Sequence, residues 1–538
     1  MIRKISALFR SFHQRAAPIL LLSIWLVGGL PYPSHRRTSL PDLPRHGEWP
    51  PAPASTSYPI HYTAQSGDTL AAIARRFNVN PDEITSYEPF SLTGLLVPGQ
   101  PMLIMHSPVV LKPSAPLMPD GEVVYGPSTV GFSLGDYLKQ SGGFLGSYQE
   151  YLRSSHNTPA AEIIDRVALE NSINPRLMLG LLEYECHCTF QSPADPLRGG
   201  YFLDYPQSSG LYGQLGWMSD LLSQGYYGWR SGALAEFILP GGEKFRPSPA
   251  ANAGSVALQY YFARRLAART DETGKPVSTR ADWERAVDPE HGFLALYRRM
   301  FGDPWQRAAR FGPLFNGTEK QPLLSLPFPA TKQWSLSSGP HKAWETEGAL
   351  AALDFAPQVN NFGCVKSSAW VTAVASGKVV RSAYGVVVQD LNRTPQNPGL
   401  LSFADYSDGL EQTGWAVIYL HIREEDRVPE GFYLQTGDRV GHPSCEGGPA
   451  TGTHLHIARK YNGEWIAADG PLSFVMDGWT AHASALPYQG TLTRGDAIVV
   501  AGTNASPESM INRPVLTTTL SAGYEITQGQ DHEYETTP

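Results

Sequence analysis

Gly452-Thr453-His454-Leu455-His456-Ile457 decides the reading of this 538-residue chain. The run is apolar and β-prone, and side chains two residues apart on a strand leave from the same face. His454 and His456 can therefore reach one metal site. An isolated His-x-His pair fits a structural role as readily as ligation, so its surroundings carry the argument. Upstream, Trp415-Ala416-Val417-Ile418-Tyr419-Leu420-His421-Ile422 reads as a second hydrophobic strand with one histidine. Thr436-Gly437-Asp438-Arg439-Val440-Gly441 reads as a hairpin-like turn, and Leu353-Asp354-Phe355-Ala356-Pro357 places a carboxylate in another apolar run.

Over residues 334–472 the chain resembles the lysostaphin-type zinc endopeptidases, murein-cutting enzymes whose pattern is His-x3-Asp, then Tyr-x-His, then Gly-Pro/Thr-His-x-His. The later motifs match and the first departs. The residue four before Asp354 is Leu350, whose isobutyl group cannot bind zinc. Ser338-Gly339-Pro340-His341 instead puts a histidine 13 positions before Asp354. That arrangement is similar to the staphylolysin subgroup, in which a longer loop separates histidine from aspartate. The resemblance implies His341, Asp354 and His456 as ligands of Zn2+, the three protein ligands a catalytic site needs while its fourth position stays open to water. It implies His421 and His454 as flanking groups, one the general base and the other the stabiliser of the oxyanion. If His341 is an ordinary loop histidine, the domain is instead an inactive wall-binding protein or an activator of another murein hydrolase.

The composition, 42% hydrophobic and 17% charged, supports globular domains, while 45 prolines and 52 glycines imply many turns and linkers. A net charge of −8 leaves no electrostatic footprint for nucleic acid. The length suits several domains, and the expected class is multidomain α+β. Residues 1–40 read as an export signal or an N-terminal membrane anchor: Arg3, Lys4, Arg10 and Arg15 precede an apolar run at 16–30, shorter than a full span needs. Either version places the remainder outside the cytoplasmic membrane, secreted or associated with the cell envelope. Residues 41–57, rich in proline, read as a stiff tether.

Residues 58–106 run from Tyr62 through Gly67-Asp68-Thr69-Leu70 to Pro98-Gly99-Gln100. Apolar residues at 70, 73, 74 and 77 behind a capping Asp68 or Thr69 fit a small βααβ unit. The stretch resembles a LysM module, which implies binding to the N-acetylglucosamine-containing glycan of peptidoglycan. The glycan-contacting residues are not readable.

Residues 107–140 are expected to link this unit to a mostly helical domain at 141–325. Ile163, Ile164, Val167 and Ala168 form one helical stripe, and Leu177, Met178, Leu181 and Leu182 form another, opened by Asn174-Pro175. A further helix is expected over 252–266. Residues 172–185 resemble the catalytic helix of soluble lytic transglycosylases, which implies Glu185 as a glycan-cleaving acid of raised pKa. Cys186 stands where that family has serine, and only Gly210-Leu211-Tyr212-Gly213-Gln214-Leu215 survives of its downstream loop. An active lyase, an inactive lysozyme-like fold and an unrelated helical domain all stay open.

The peptidase-like domain is expected over 330–480 as an antiparallel β-sheet, followed by a C-terminal extension at 481–538 with a disordered tail at 528–538. Four cysteines in an exported chain suit disulfides. Cys364 precedes a strand at 369–374 and Cys445 lies nine residues before His454, so a bridge between them would clamp two loops beside the site. Cys186 and Cys188 remain reduced or form a local bridge; sequence alone does not fix connectivity. The reading is an exported, LysM-targeted endopeptidase acting on peptidoglycan peptide stems.

Overall fold

In the computed structural model, residues 59–109, 114–191, 202–203, 208–344, 347–358, 363–391, 408–502 and 505–513 are described. The segments read as an export signal or anchor, as a tether and as a polar tail lie outside the described residues. Among those described, no helix is long and apolar enough to cross a membrane.

β1 (Ile60–Thr63), α1 (Leu70–Phe77), β2 (Ile84–Thr85) and β3 (Pro101–Ile104) form the N-terminal module, with sheet order β1-β3-β2. Thr69 accepts from the Ala72 amide and so caps α1, whose Leu70, Ile73, Ala74 and Phe77 are buried. The second helix expected here is a single 3-10 turn, Pro81–Glu83. Pro89, Gly94, Pro98 and Gly99 interrupt any longer helix after it.

The stretch expected as a linker is packed instead. Leu117, Met118, Val123, Val124, Leu134 and Leu138 are all buried in the main core. Glu122, fully buried, pairs with Arg307 at 2.8 Å and accepts from the Tyr297 hydroxyl. The helical region then comprises α2 (Leu134–Ser141), the hairpin β4 (Gln149–Leu152) and β5 (His156–Pro159), α3 (Ala160–Asn171), α4 (Pro175–Cys186) and α5 (Gly210–Ser231). After the hairpin β6 (Phe237–Ile238) and β7 (Lys244–Phe245) come α6 (Ala253–Ala267), α7 (Arg280–Ala286), α8 (Phe293–Phe301) and α9 (Pro304–Ala309). Both apolar stripes, on α3 and α4, are buried, and Asn174 caps α4 with Pro175 at its first position. α5 and α6 approach so closely that a Cβ on Gly225 would lie 2.8 Å from the Ala257 Cα.

The last region is built from β8 (Gln333–His341), β9 (Ala352–Pro357), β10 (Val371–Thr372), β11 (Gly377–Ala383), β12 (Val386–Asp390), β13 (Trp415–Leu420), β14 (Tyr433–Leu434), β15 (Arg439–Gly441), β16 (Leu455–Tyr461) and β17 (Glu464–Trp465). It continues through β18 (Val475–Met476), β19 (Trp479–Ala483), β20 (Gly490–Arg494), β21 (Ala497–Val500) and β22 (Met510–Asn512). The main antiparallel sheet runs β14-β11-β12-β13-β16-β9-β8-β22, with β17 also on β16. β13 and β16 sit at its centre, and every residue of β13 is buried. The expected C-terminal extension is part of this fold, because β22 pairs with β8 and β18 to β21 form a second sheet beside it.

Candidate metal centre

Strand register brings the site together. His456 on β16 pairs directly with Asp354 on β9 and, on its other side, with Leu420 of β13. Directly opposed residues of antiparallel strands share a face, so the Asp354 carboxylate and the His456 ring meet. β8 reaches the same face by a different route. Its pairing with β9 slips by one residue between Leu336 and Ser338 and again between Ser338 and His341. The second slip sets His341 opposite Ala352 rather than its neighbour, on the face that carries Asp354.

The three donors form a tight triangle. His341 Nε2 lies 3.0 Å from His456 Nδ1, and Asp354 Oδ1 lies 3.2 Å from each. All three residues are buried. Asp354 Oδ1 accepts no well-directed hydrogen bond, although two ring nitrogens face it. His454 Nε2 stands 3.8 Å from Asp354 Oδ2, and the His421 and His454 rings are 4.5 Å apart.

Backbone carbonyls fix the tautomers. His341 Nδ1 bonds to the Gly339 carbonyl at 2.9 Å and His456 Nε2 to that of Ala343 at 3.0 Å. His421 Nδ1 reaches the Glu446 carbonyl and His454 Nδ1 that of Gly452, each at 2.7 Å. A carbonyl only accepts, so each of these nitrogens carries hydrogen, and in the neutral ring the other nitrogen presents its lone pair. Two lone pairs and a carboxylate oxygen therefore converge at 3.0–3.2 Å, an arrangement that suits a shared proton or a metal ion.

The electrostatics follow from this crowding. Burial disfavours charge on His341, but the adjacent Asp354 carboxylate outweighs it and raises its pKa. Burial opposes ionisation of Asp354, yet the imidazoles of His341 and its neighbours hold its pKa well below the usual carboxylate range. His421, buried first and then beside His454 and His456, is pushed down to about 3 and stays neutral.

A disulfide and backbone hydrogen bonds frame the site. Cys364 and Cys445 are bridged, with Cα atoms 5.8 Å apart. The residues beside them hold the site: the Thr453 amide donates to the Gly363 carbonyl, and the Ser444 amide to that of His421. Tyr488, from the segment read as an extension, stacks on His341 with ring centroids 4.6 Å apart. Its own amide and carbonyl bond to Pro340 and Gly339, and the residue is 56% exposed beside the otherwise buried site. No local pattern in the sequence marks Tyr488, since it approaches only through the fold.

Glu185 is not brought to this centre. On α4 it pairs with Arg265 of α6 at 3.1 Å and accepts from the Tyr261 hydroxyl. Both contacts tie it to α6 within the helical region. Cys186 and Cys188 are bridged to each other across His187, the αL residue that ends α4.

The family model for the LysM domain matches residues 62–104, and the model for the LasA N-terminal domain matches residues 116–314. No curated protein matches the chain. Among solved structures, one described as a novel M23 metalloprotease, pseudoalterin, from deep sea is 18% identical with a TM-score of 0.27, over 34% of this chain and 96% of its own. The catalytic domain of the antimicrobial peptidase lysostaphin from Staphylococcus simulans is 20% identical with a TM-score of 0.16, over 26% and 89%. A zinc-containing peptidase from Vibrio cholerae is 17% identical with a TM-score of 0.19, over 29% and 41%. The chain thus joins a LysM domain to a region of the LasA N-terminal type, ahead of the sheet that gathers His341, Asp354 and His456.

Proposed function

We propose that this protein is an exported, zinc-dependent endopeptidase that cuts the peptide crosslinks of peptidoglycan, held on the glycan by its LysM domain. One observation carries the reading: the donor triangle has edges of 3.0–3.2 Å. A tetrahedral zinc with bonds of about 2.0–2.1 Å has ligand-to-ligand edges of roughly 3.3 Å. The donor types fit as well, two neutral imidazoles and one carboxylate with an unsatisfied oxygen. His341 Nε2, Asp354 and His456 Nδ1 would hold the ion. When bound, zinc supplies the Lewis acidity that polarises a peptide carbonyl and eases the deprotonation of water.

His421 and His454 take the proton-transfer roles. Their Nδ1 atoms are committed to carbonyls, so both Nε2 atoms start as acceptors. Neither can donate to an oxyanion until it has received a proton. The base that accepts the proton from water therefore becomes the donor that stabilises the oxyanion or protonates the departing amine. Burial of His421 keeps that base neutral at the outset. The two disulfides suit an extracytoplasmic location, where thiols are oxidised.

The test is digestion of purified peptidoglycan by the full chain, read by mass spectrometry before and after chelation. Release of crosslink-cleaved stems that stops on chelation and returns with zinc is the expected result. Intact crosslinks with zinc-loaded protein would refute the reading.

A further inference from the structure

β11 and β12 are joined by a two-residue turn, Tyr384-Gly385, in which both residues have positive φ, +51° and +79°. A turn of that kind favours Asn-Gly, because asparagine and glycine tolerate the left-handed region and an aromatic residue does not. A tyrosine there carries backbone strain, and strain of this sort persists only where surrounding contacts over-determine it. The contacts lie on the helical region. The Tyr384 hydroxyl donates to Glu162 at 3.0 Å, and the Arg166 guanidinium sits 4.4 Å from the Tyr384 ring centroid. Both residues belong to α3, where Arg166 is itself pinned by Glu170 and Ser154.

On its inner side the same turn touches the segment that holds His421. The Ile422 amide donates to the Gly385 carbonyl at 2.9 Å. A Cβ on Gly385 would lie 2.6 Å from the Glu446 carbonyl carbon, and one on Gly447 would lie 2.7 Å from the Tyr384 oxygen. Glu446 supplies the carbonyl that fixes the His421 Nδ1 proton. His421 also has positive φ, +65°, so its backbone has little freedom to adjust independently.

We propose that Tyr384 is a positioning residue through which the helical region sets the orientation of His421. α3 grips the phenol, the phenol holds the strained turn, and the turn backs the Glu446–Gly447 segment whose carbonyl aims the imidazole. The proposal rests on the reading of His421 as a group that acts on substrate. It gives the region before the sheet a direct part in turnover, beyond its role as a neighbour in the core.

The informative variant is Tyr384→Asn in the full chain. Asparagine suits the turn, so the melting temperature should hold or rise, and zinc content should match wild type. A merely structural tyrosine would then leave catalysis unchanged. Instead kcat for crosslink cleavage should fall on the order of threefold to thirtyfold, with KM unchanged, as expected of a residue that couples to a site without touching its ligand. Glu162→Ala should act in the same direction, and the double variant should be no worse than Tyr384→Asn alone. A second readout does not depend on activity. In protein labelled with 15N-histidine, the Nδ1 proton of His421 should exchange with water faster in both variants. An unchanged kcat together with an unchanged His421 ring signal would overturn the proposal. If wild-type protein cleaves nothing, the peptidase reading fails and the ring-proton arm alone decides the coupling.

Discussion

His341 and His456 differ in what the backbone does with them, and that difference predicts how metal binding responds to acid. His341 Nε2 faces Asp354 and His456 while Gly339 holds Nδ1, so a proton at Nε2 is stabilised by the carboxylate in the metal-free protein. On the proposed reading, a zinc ion would have to displace that proton. Because the His341 pKa is raised, zinc affinity should weaken as pH falls through it and level off above it. Chelator competition from about pH 5 to about pH 8 measures this, and an affinity independent of pH would contradict the assignment of His341. At this scale the His454–His456 pair was legible because strand periodicity alone puts both rings on one face. His341 was legible only by resemblance, since two register slips place it and no local pattern announces them. Tyr488 had no signal, and the pattern around Glu185 gave no hint of its partner Arg265 on another helix.

Among elements, β16 shows how the sheet tolerates charge beside its core. Lys460, fully buried, donates to Glu411 at 2.6 Å, and Arg381 of β11 donates to the same carboxylate at 2.9 Å. Burial alone would push the Glu411 pKa up; Arg381 and then Lys460 hold it down to about 2. A depressed folded pKa gives stability that is present above the unfolded value, about 4.3, and is lost as pH falls toward the folded value. Glu411→Gln should cost on the order of 3 kcal/mol at neutral pH, and the gap from wild type should shrink as pH falls from about 4 toward 2. Thermal melts of both proteins across that range check it, and a gap that widens in acid would refute the ion-network account. The buried stripes of α3 and α4 were readable from periodicity. The packing of 117–124 was not, because its apolar residues are carried on short turns without a helical or strand period.

For the molecule as a whole, the sequence suggests modules on tethers, whereas the described regions are interlocked. Arg230 of α5 pairs with Glu464 of β17 and with Asp120, each at 3.0 Å, and donates to the Ser66 carbonyl of the LysM domain. Arg76 of α1 bonds to the Trp229 carbonyl at 3.1 Å and packs on that indole. One continuous core runs from the helical region into the sheet, while the LysM domain keeps a small core of its own. Arg230 is 9% exposed, so truncating it removes the cation from buried Glu464 and half-buried Asp120. Arg230→Ala should cost about 3–5 kcal/mol, and the helical region and sheet should unfold in one transition. Calorimetry showing two well-separated transitions for those regions would contradict the shared core. This interlocking was hidden from sequence because its partners lie more than a hundred residues apart, and turn-rich segments read locally as linkers.

Zinc stoichiometry of His456→Ala beside His454→Ala tests the central claim most directly. Removing His456 leaves two donors and should release the ion together with activity. Removing His454 should leave the metal in place and lower turnover by a few kcal/mol of barrier, if, as proposed, that ring handles a proton and does not hold the ion. Equal loss of zinc in the two variants, or full zinc retention in His456→Ala, would contradict the ligand set of His341, Asp354 and His456.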